Sequence, residues 1–264
     1  MDVRDLVRDH YGAAGLSDTI LGALADAGVD TDHLQPQDLF PVDQLHAGGA
    51  FATRHVLDRL DIAPGQRLLD VGCGIGGASR MAASYGAQVT GLDLSPEFVE
   101  TAAALTAKVG LDDRARFVHT EGQSMPFDDE SFDAAVMVHV GMNIPDKDAV
   151  FSEVHRVLRT GGRFAIYEQV RVGDGELTYP LPWAVDERSS FVETVDDYRR
   201  QLEGAGFTVE DAEDVTPTLA RQTPPQGPVS NAVVFGPAFV ERIENNVAAT
   251  RAGLLGSWLL VARA

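Results

Sequence analysis

The stretch LLDVGCGIGGASR, residues 68–80, constrains this chain more than any other. An apolar run ends in a carboxylate, Asp70, and four glycines follow within six positions: Gly72, Gly74, Gly76 and Gly77. A strand that turns on glycines and passes straight into a helix brings backbone N–H groups up to a ligand at the carboxyl edge of a sheet. Side chains are excluded there because the backbone itself must make the approach.

The flanking pattern supplies the sheet. RLLDVG predicts a first strand and GGASRMAASYG a short helix stopped by Gly86. QVTGLDL predicts strand two, and SPEFVETAAALTAKVG a helix with Ser95 as N-cap and Pro96 at its first position. ARFVHTE, FDAAVMVHV and RFAIYEQV predict strands three to five, the fourth apolar throughout, as a strand buried on both faces is. DKDAVFSEVHRVLRTGG predicts the helix before strand five, ended by Gly161 and Gly162. TVDDYRRQLEGAG reads as a helix, FTVEDAEDV and GLLGSWLLVARA as the last strands. Alternating strands and helices imply an α/β fold with a parallel sheet and right-handed crossovers.

Ahead of this core, DLVRDHY, DTILGALADAG and FATRHVLDRLDI have helical spacing, with DLFPVDQLHAGGA between them as a loop. GDGELTYPLPWAVDERSSF reads as a loop bearing proline and aromatics, and 216–250 as irregular apart from a helix at FVERIENNVAAT. The expected organisation is an N-terminal helical cap over 1–60 and a core over 61–264, with cap insertions at about 171–193 and 216–250.

Asp93, at the tip of strand two, is placed to accept hydrogen bonds from both hydroxyls of a ribose. A glycine turn with a ribose acid suits NAD, FAD and S-adenosylmethionine alike. Asp70 divides them. A carboxylate beside a pyrophosphate costs free energy, whereas beside an ammonium and a sulfonium it is favourable. Its other reading is a residue that caps the helix or braces the turn.

Four stretches in order resemble the class I, Rossmann-like, S-adenosylmethionine-dependent methyltransferases, over about residues 42–214. LLDVGCGIGG is similar to the family's first motif and VTGLDLS to its ribose-binding acid. EGQSMPFDDESFDAAVMVHV resembles the adenine-side stretch, usually Gly-Asp-Ala, then Leu-Pro-Phe and Ser-Phe-Asp. EVHRVLRTGGRFAIYE resembles the entry to strand five, where Pro-Gly-Gly is usual. The resemblance implies a doubly wound, mostly parallel seven-stranded sheet with an antiparallel C-terminal strand. It implies S-adenosylmethionine as cofactor and S-adenosylhomocysteine as product. It assigns methionine-side backbone contacts to Gly72, Gly74 and Gly76, the ribose to Asp93, one adenine face to Leu94, and the ammonium to carbonyls around His139. Glu121 stands where an Asp usually receives the adenine amine, so the backbone of Gly122 and Gln123 takes a larger share. The family often closes over its cofactor with the region of DQLHAGG, which makes Gln44 and His46 lid contacts. PFDDESFD and MNIPDK look most like the ubiquinone/menaquinone C-methyltransferases and the glycine/sarcosine N-methyltransferases.

Methyl transfer from a sulfonium is an in-line displacement, so the protein chiefly aligns the groups in a dry pocket. A hydroxyl or activated carbon acceptor needs a general base, and an amine must be deprotonated. His139, at the tip of strand four, is the candidate base, or else a hydrogen-bonded histidine that shapes the cofactor site. Glu168, at the tip of strand five, would orient a cationic acceptor or take a proton, or else pair with a cap arginine. Met142, Asn143, Tyr179 and Trp183 are candidate pocket residues, the aromatics as walls or cation–π partners, or else as ordinary loop packing. Cys73 reads as a small turn residue without a redox role; His10, His33, His55, His119 and His155 have no evident partners and read as structural. No residue grouping has metal-ligand spacing, and an esterase Gly-x-Ser-x-Gly is absent.

Charge narrows the partners. Forty acids against 21 bases give a net charge of −19, which disfavours nucleic acid and suits a neutral or cationic small molecule. Solubility or a salty cytoplasm accounts for it equally well. With one cysteine no internal disulfide forms, and a reducing compartment fits. No apolar run approaches the roughly 20 residues of a membrane-spanning helix, and the N-terminus lacks a secretory apolar segment. The expectation is a cytoplasmic methyltransferase acting on a small-molecule acceptor, a specialised metabolite or an amine, with no membrane partner and with oligomeric state, a homodimer included, left open. A NAD-dependent oxidoreductase and a non-catalytic S-adenosylmethionine-binding protein are the alternatives.

Overall fold

In the computed structural model, which describes residues 15–221, 229–236 and 238–264, the strands form one seven-stranded sheet. DLVRDHY and His10 lie outside the described residues. The chain runs through helices α1 (Leu16–Asp26), α2 (Phe40–Asp43) and α3 (Gly49–Leu60) before the sheet begins. There follow β1 (Arg67–Val71), α4 (Gly77–Ser84), β2 (Gln88–Asp93), α5 (Pro96–Lys108), β3 (Ala115–His119) and β4 (Phe132–Val138). Next come α6 (Lys147–Val157), β5 (Leu158–Arg171), α7 (Val195–Gly204) and β6 (Thr208–Asp214). The chain closes through α8 (Thr216–Leu219), α9 (Ala232–Phe235), α10 (Phe239–Arg251) and β7 (Leu255–Arg263).

The spatial order is β3-β2-β1-β4-β5-β7-β6. Strands β1 to β5 are mutually parallel, and β7 lies antiparallel between β5 and β6. The chain order reverses between β1 and β4, and a crevice opens at the carboxyl ends of strands on either side of such a switch.

Period-two alternation assigns the two faces. Leu69, Val71, Ala135, Met137, Phe164 and Ile166 pack under Val150, Phe151 and Val154 of α6 and Tyr198 and Leu202 of α7. Leu68, Ala134, Val136, Ala165 and Tyr167 face the other way, under Val56 and Leu60 of α3 and Met81 and Ala82 of α4. Apolar residues on both faces explain the unbroken hydrophobic character of these strands. On the flank, Leu16, Ile20 and Leu24 of α1 bury against Phe98 and Leu105 of α5 and against Ile75 of the glycine turn.

Three local expectations are corrected. The supposed loop before α3 contains a 3₁₀ turn, Pro36–Leu39, and then α2; the Gln35 and Asp38 side chains cap the turn's start reciprocally. Helix α6 ends at Val157, not at Gly161, and the backbone is already extended at Leu158. Gly161, at φ 80°, bends β5 internally and donates its N–H to the Ala264 carbonyl (2.7 Å). Within 216–250, α8 and α9 join the expected helix, each too short for a 3.6-residue period to declare itself.

Ser95 caps α5 as expected, its hydroxyl oxygen accepting the Phe98 N–H at 3.2 Å. Ser95→Ala is expected to lower unfolding stability by about 1 kcal/mol. Urea denaturation measures this, and an unchanged midpoint refutes the cap's contribution.

Candidate active site

The glycine turn is clasped to the tip of β2. Gly72 and Cys73 both donate their N–H groups to the Leu92 carbonyl (2.8 and 2.9 Å), and Gly74 N–H donates to Asp93 Oδ2 (2.8 Å). The other Asp93 oxygen, Oδ1, accepts Ser95 N–H at 2.9 Å. Each oxygen therefore has one fixed partner and further lone pairs to offer. A Cβ on Gly72, at φ 71°, would lie 2.5 Å from Val140 Cγ2, so neither its backbone angle nor its surroundings admit a side chain.

Asp70, paired in register between Gly91 and Val136, is buried and accepts the Ser79 hydroxyl at 2.6 Å. Burial raises its pKa to about 6, and the nearby Asp93 pushes the same way. Burial likewise raises the pKa of Asp93, against the backbone N–H groups that lower it. The buried Cys73 thiol is pushed well above the ordinary range, consistent with an inert turn residue.

A cavity of about 220 Å³ opens at this edge. Its wall includes Asp70, Gly72, Gly74, Asp93, Leu94, Glu121, Gly122 and Gln123 from the turn, the tip of β2 and the segment after β3. His46, His139, Met142, Asn143 and Trp183 complete it, together with Leu45, Pro182, Phe235 and Phe239. Most of the residues singled out from sequence thus meet in one place.

Four of them stand outside the wall. Gly76 faces the Arg80 guanidinium and the Phe117 ring. Gln44 is buried behind the wall, and Tyr179 packs on the apolar cluster of Leu181, Trp183 and Leu255. Glu168 is fully buried in β5, which continues three residues past it to Arg171. Its Oε1 accepts the N–H groups of Val140 (2.8 Å) and Gly141 (2.7 Å), so the carboxyl grips the turn after β4 instead of an arginine. Burial raises its pKa to about 7, against those two bonds and the Lys147 charge.

His139 sits at the start of that turn with φ 54° and donates its N–H to the Tyr167 carbonyl (2.8 Å). Its ring lies 4.9 Å from Tyr167 and 5.6 Å from His46, centroid to centroid. Burial, reinforced by His46, holds its pKa well below the ordinary value, so the ring is neutral. Its Nε2 and the Asn143 Oδ1 are buried without hydrogen-bond partners. Trp183 is anchored through its indole N–H to the Ser190 hydroxyl (2.9 Å).

The sequence reading missed several partners. His33 bonds Asp30, His55 bonds Glu213, and His119 bonds the Leu94 carbonyl (3.1 Å) beside the cavity. It also missed Lys147, buried and paired with Glu193 (3.2 Å), and the buried pair of Arg80 and Asp43 (2.9 Å). Apart from His33 with Asp30, three residues apart, nothing in the local spacing marks these pairs, which are distant in the chain. Among the described residues, no group of three or more His, Cys, Asp or Glu is arranged to hold a metal ion, and no helix is long and apolar enough to cross a membrane.

A buried acid whose folded pKa exceeds its unfolded value keeps its proton longer in the folded state. For Glu168 the folded protein binds more protons than the unfolded chain between about pH 4.5 and 7, so its contribution falls as pH rises through that window. Glu168→Gln is expected to gain stability relative to wild type across the window, by up to about 3 kcal/mol at pH 7. Paired urea titrations at pH 4.5 and 7.5 measure it, and a difference independent of pH rejects it.

The comparisons agree with this geometry. A family model described as a methyltransferase domain matches residues 69–166. Methyltransferase GfsG of Streptomyces halstedii is 34% identical over 191 residues, 71% of this chain and 67% of GfsG. Sterol 4-C-methyltransferase strm-1 of Caenorhabditis elegans is 36% identical over 120 residues, 46% of this chain and 36% of strm-1. The chain spans about a third of the length of strm-1 and of the Gibberella zeae sterol 24-C-methyltransferase ERG6B. Among solved structures, the [4+2]-cyclase SpnF superposes with a TM-score of 0.68 at 25% identity, covering 100% of this chain and 97% of SpnF. Haemonchus contortus phosphoethanolamine N-methyltransferase 2, in complex with S-adenosyl-L-methionine, superposes at 0.73 with 23% identity, covering 100% of this chain and 60% of that one. At that identity the second likeness speaks for the fold alone. The match spanning two thirds of GfsG, with the motifs in order along one switch-point crevice, settles the family: this chain belongs to the Rossmann-like, S-adenosylmethionine-dependent methyltransferases.

Proposed function

We propose that this protein transfers a methyl group from S-adenosylmethionine to a small, largely apolar acceptor. The observation that carries the reading is the cavity in which a side-chain-free glycine turn, two neighbouring carboxylates and an aromatic wall meet. The residues fit the cofactor. Asp93, fixed by two backbone N–H groups, has lone pairs left for ribose hydroxyls. Gly72 and Gly74 present bare backbone to the methionine portion, and Leu94 with Glu121, Gly122 and Gln123 lies where the adenine would rest. The negative charge of Asp70 favours an ammonium and a sulfonium and penalises a pyrophosphate, which weighs against the dinucleotide reading.

When bound, S-adenosylmethionine supplies a methyl group already activated by the positive sulfur beside it. The chain's part is to align an acceptor and keep water out. Met142, Trp183 and Phe239 give the wall its apolar character. In this reading His139, neutral and unpartnered at Nε2, receives the acceptor's proton. Glu168 does not touch the acceptor; it holds the Val140–Gly141 turn that follows His139. The described stretches ahead of α3, and those within about 171–193 and 216–250, serve as the cap. The net negative charge argues for an acceptor that is not a nucleic acid, and the lone cysteine for a cytoplasmic setting.

A second reading, cofactor binding without methyl transfer, is favoured by one observation: the likeness to a [4+2]-cyclase extends over the whole chain. One assay separates the two. Purified protein is incubated with methyl-labelled S-adenosylmethionine and a lysate of its own source, and labelled metabolites are identified by mass spectrometry. A labelled small molecule is expected; calorimetric binding of the cofactor with no labelled product favours the second reading. Within the first, Asp93→Ala is expected to weaken cofactor binding by about 1–3 kcal/mol, the cost of stranded polar groups. His139→Ala is expected to lower turnover at saturating acceptor by about 10²–10⁴-fold. Unchanged affinity or unchanged turnover removes the respective assignment.

A further inference from the structure

The exit of β4 carries two polar side chains whose hydrogen bonds are unmet at the cavity wall. Backbone bonds fix the turn that bears them. His139 N–H is held by the Tyr167 carbonyl (2.8 Å), Asn143 N–H donates to the Val140 carbonyl (2.9 Å), and the Met142 carbonyl accepts Phe191 N–H (2.8 Å). From behind, Glu168 Oε1 grips the Val140 and Gly141 N–H groups. These bonds leave the side chains of His139 and Asn143 unused. His139 Nε2 and Asn143 Oδ1 are both buried and unpartnered, and both residues line the cavity. A buried polar atom without a hydrogen bond is costly and rare, so two on one turn mark a place where another group supplies the bonds. His139 is also held at φ 54°, a backbone angle that non-glycine residues seldom adopt.

The surroundings define the chemistry of that group. On this side the wall is apolar or aromatic: Met142, Ile144, Pro182, Trp183, Phe235 and Phe239. The Trp183 N–H is taken by Ser190. His46 is engaged at both ring nitrogens, with the Ala47 carbonyl (3.1 Å) and the Thr53 hydroxyl (2.9 Å). Among the described residues no lysine or arginine lines the cavity. Asp70, Asp93 and Glu121 belong to its cofactor side, and Asp43 is paired with Arg80. Glu168 stands outside the wall, bonded to backbone and facing the Lys147 charge.

A phosphate or carboxylate acceptor therefore meets no counter-charge. An ammonium would exchange its hydration for aromatic faces alone, which return less than it loses. It also cannot attack until a proton has left. A bare alkene leaves both orphaned atoms as they are. A hydroxyl answers both. It has one proton to give to the neutral His139 ring and lone pairs for the Asn143 amide, which by a half-turn presents NH₂ where Oδ1 stands.

We propose that the acceptor is a neutral hydroxyl on an apolar molecule, and that Asn143 selects it by donating to the hydroxyl oxygen while His139 takes its proton. This deepens the methyltransferase reading and rests on it. In the transfer a bond forms between the hydroxyl oxygen and the methyl carbon as the carbon–sulfur bond breaks. The bonding pair leaves with the sulfur and the proton passes to His139 Nε2. An ether and S-adenosylhomocysteine remain, and His139 returns its proton to solvent.

Two measurements on the full chain test this. The lysate incubation is repeated with ¹³C-methyl S-adenosylmethionine, and carbon NMR of the labelled product identifies the atom that bears the methyl group. A methyl ether is expected. An N-methyl, a C-methyl or a methyl ester overturns the hydroxyl and leaves methyl transfer standing. A protein that binds S-adenosylmethionine yet labels nothing overturns methyl transfer and this inference together. Calorimetry with the unmethylated alcohol, on protein saturated with S-adenosylhomocysteine, reads the role of Asn143. Asn143→Leu is expected to bind the alcohol about tenfold more weakly than wild type does. Its affinity for the deoxy analogue, and for S-adenosylhomocysteine alone, is expected to match wild type. No loss, or an equal loss for the alcohol and its deoxy analogue, overturns the selection by Asn143. If Asn143→Leu does not fold, Asn143→Asp takes its place, since it keeps the shape of the amide and has no N–H to give.

Discussion

The clasp between the glycine turn and the end of β2 is the constraint from which the site follows. Parallel pairing of β1 with β2 brings the Leu92 carbonyl under two successive N–H groups of the turn and sets Asp93 beside a third. Each bond is worth only about 1 kcal/mol net, yet together they remove the turn's freedom at the point where its backbone must be bare. The clasp requires close approach from both sides. A Cβ on Gly91 of β2 would stand 2.8 Å from the Cys73 Cβ, so the strand beneath the turn is as restricted in size as the turn itself.

The same geometry creates an electrostatic problem. Asp70 and Asp93 are buried near one another, and each has its carboxyl raised above the ordinary range. The Ser79 hydroxyl and the Arg80 charge relieve Asp70, and backbone N–H groups relieve Asp93, without cancelling the cost of burial. A site that retains uncompensated negative charge gains free energy when a cation enters. Under the proposed function, the cost of burying Asp70 is offset when a cationic ligand enters beside it.

How much of this could be read from the sequence depended on the range of the interaction. The five parallel strands, the turn, the Ser95 cap and Asp93 were legible because each is written within a dozen residues: an apolar run, a glycine cluster, a serine before proline. Glu168 was located correctly in β5 but its direction was not. Its partners are the backbone of Val140 and Gly141 on the neighbouring strand's exit; period-two alternation gives the face a carboxyl turns to but not partners so distant in the chain. Gln44 was assigned to the cavity by the family resemblance and Tyr179 as an aromatic of the loop after strand five, yet Gln44 is buried outside the wall and Tyr179 packs on the apolar cluster of Leu181 and Leu255. Arg80 looked like an ordinary helical arginine because its partner, Asp43, lies in a segment expected to be a loop, and only the formation of α2 turns that carboxylate inward.

The two walls of the cavity are held in the same way. On one side Glu168 supports the turn after His139 from behind, with Lys147 buried nearby and bonded to the Ile144 and Phe191 carbonyls (3.0 and 2.8 Å). On the other, Arg80 and Asp43 support the segment that carries His46. Buried charges of this kind contribute little net stability, because desolvation offsets most of their attraction, and apolar substitutes of equal volume often do as well. What they supply is direction. An apolar contact tolerates sliding by several tenths of an ångström, whereas a carboxylate that accepts two backbone N–H groups, or a guanidinium that donates to four oxygens, tolerates very little. His46 and His139, whose rings lie 5.6 Å apart, thus each sit on a segment held by a buried ionisable side chain. Precise placement is what the proposed in-line displacement would demand of a protein that does little of the chemistry itself.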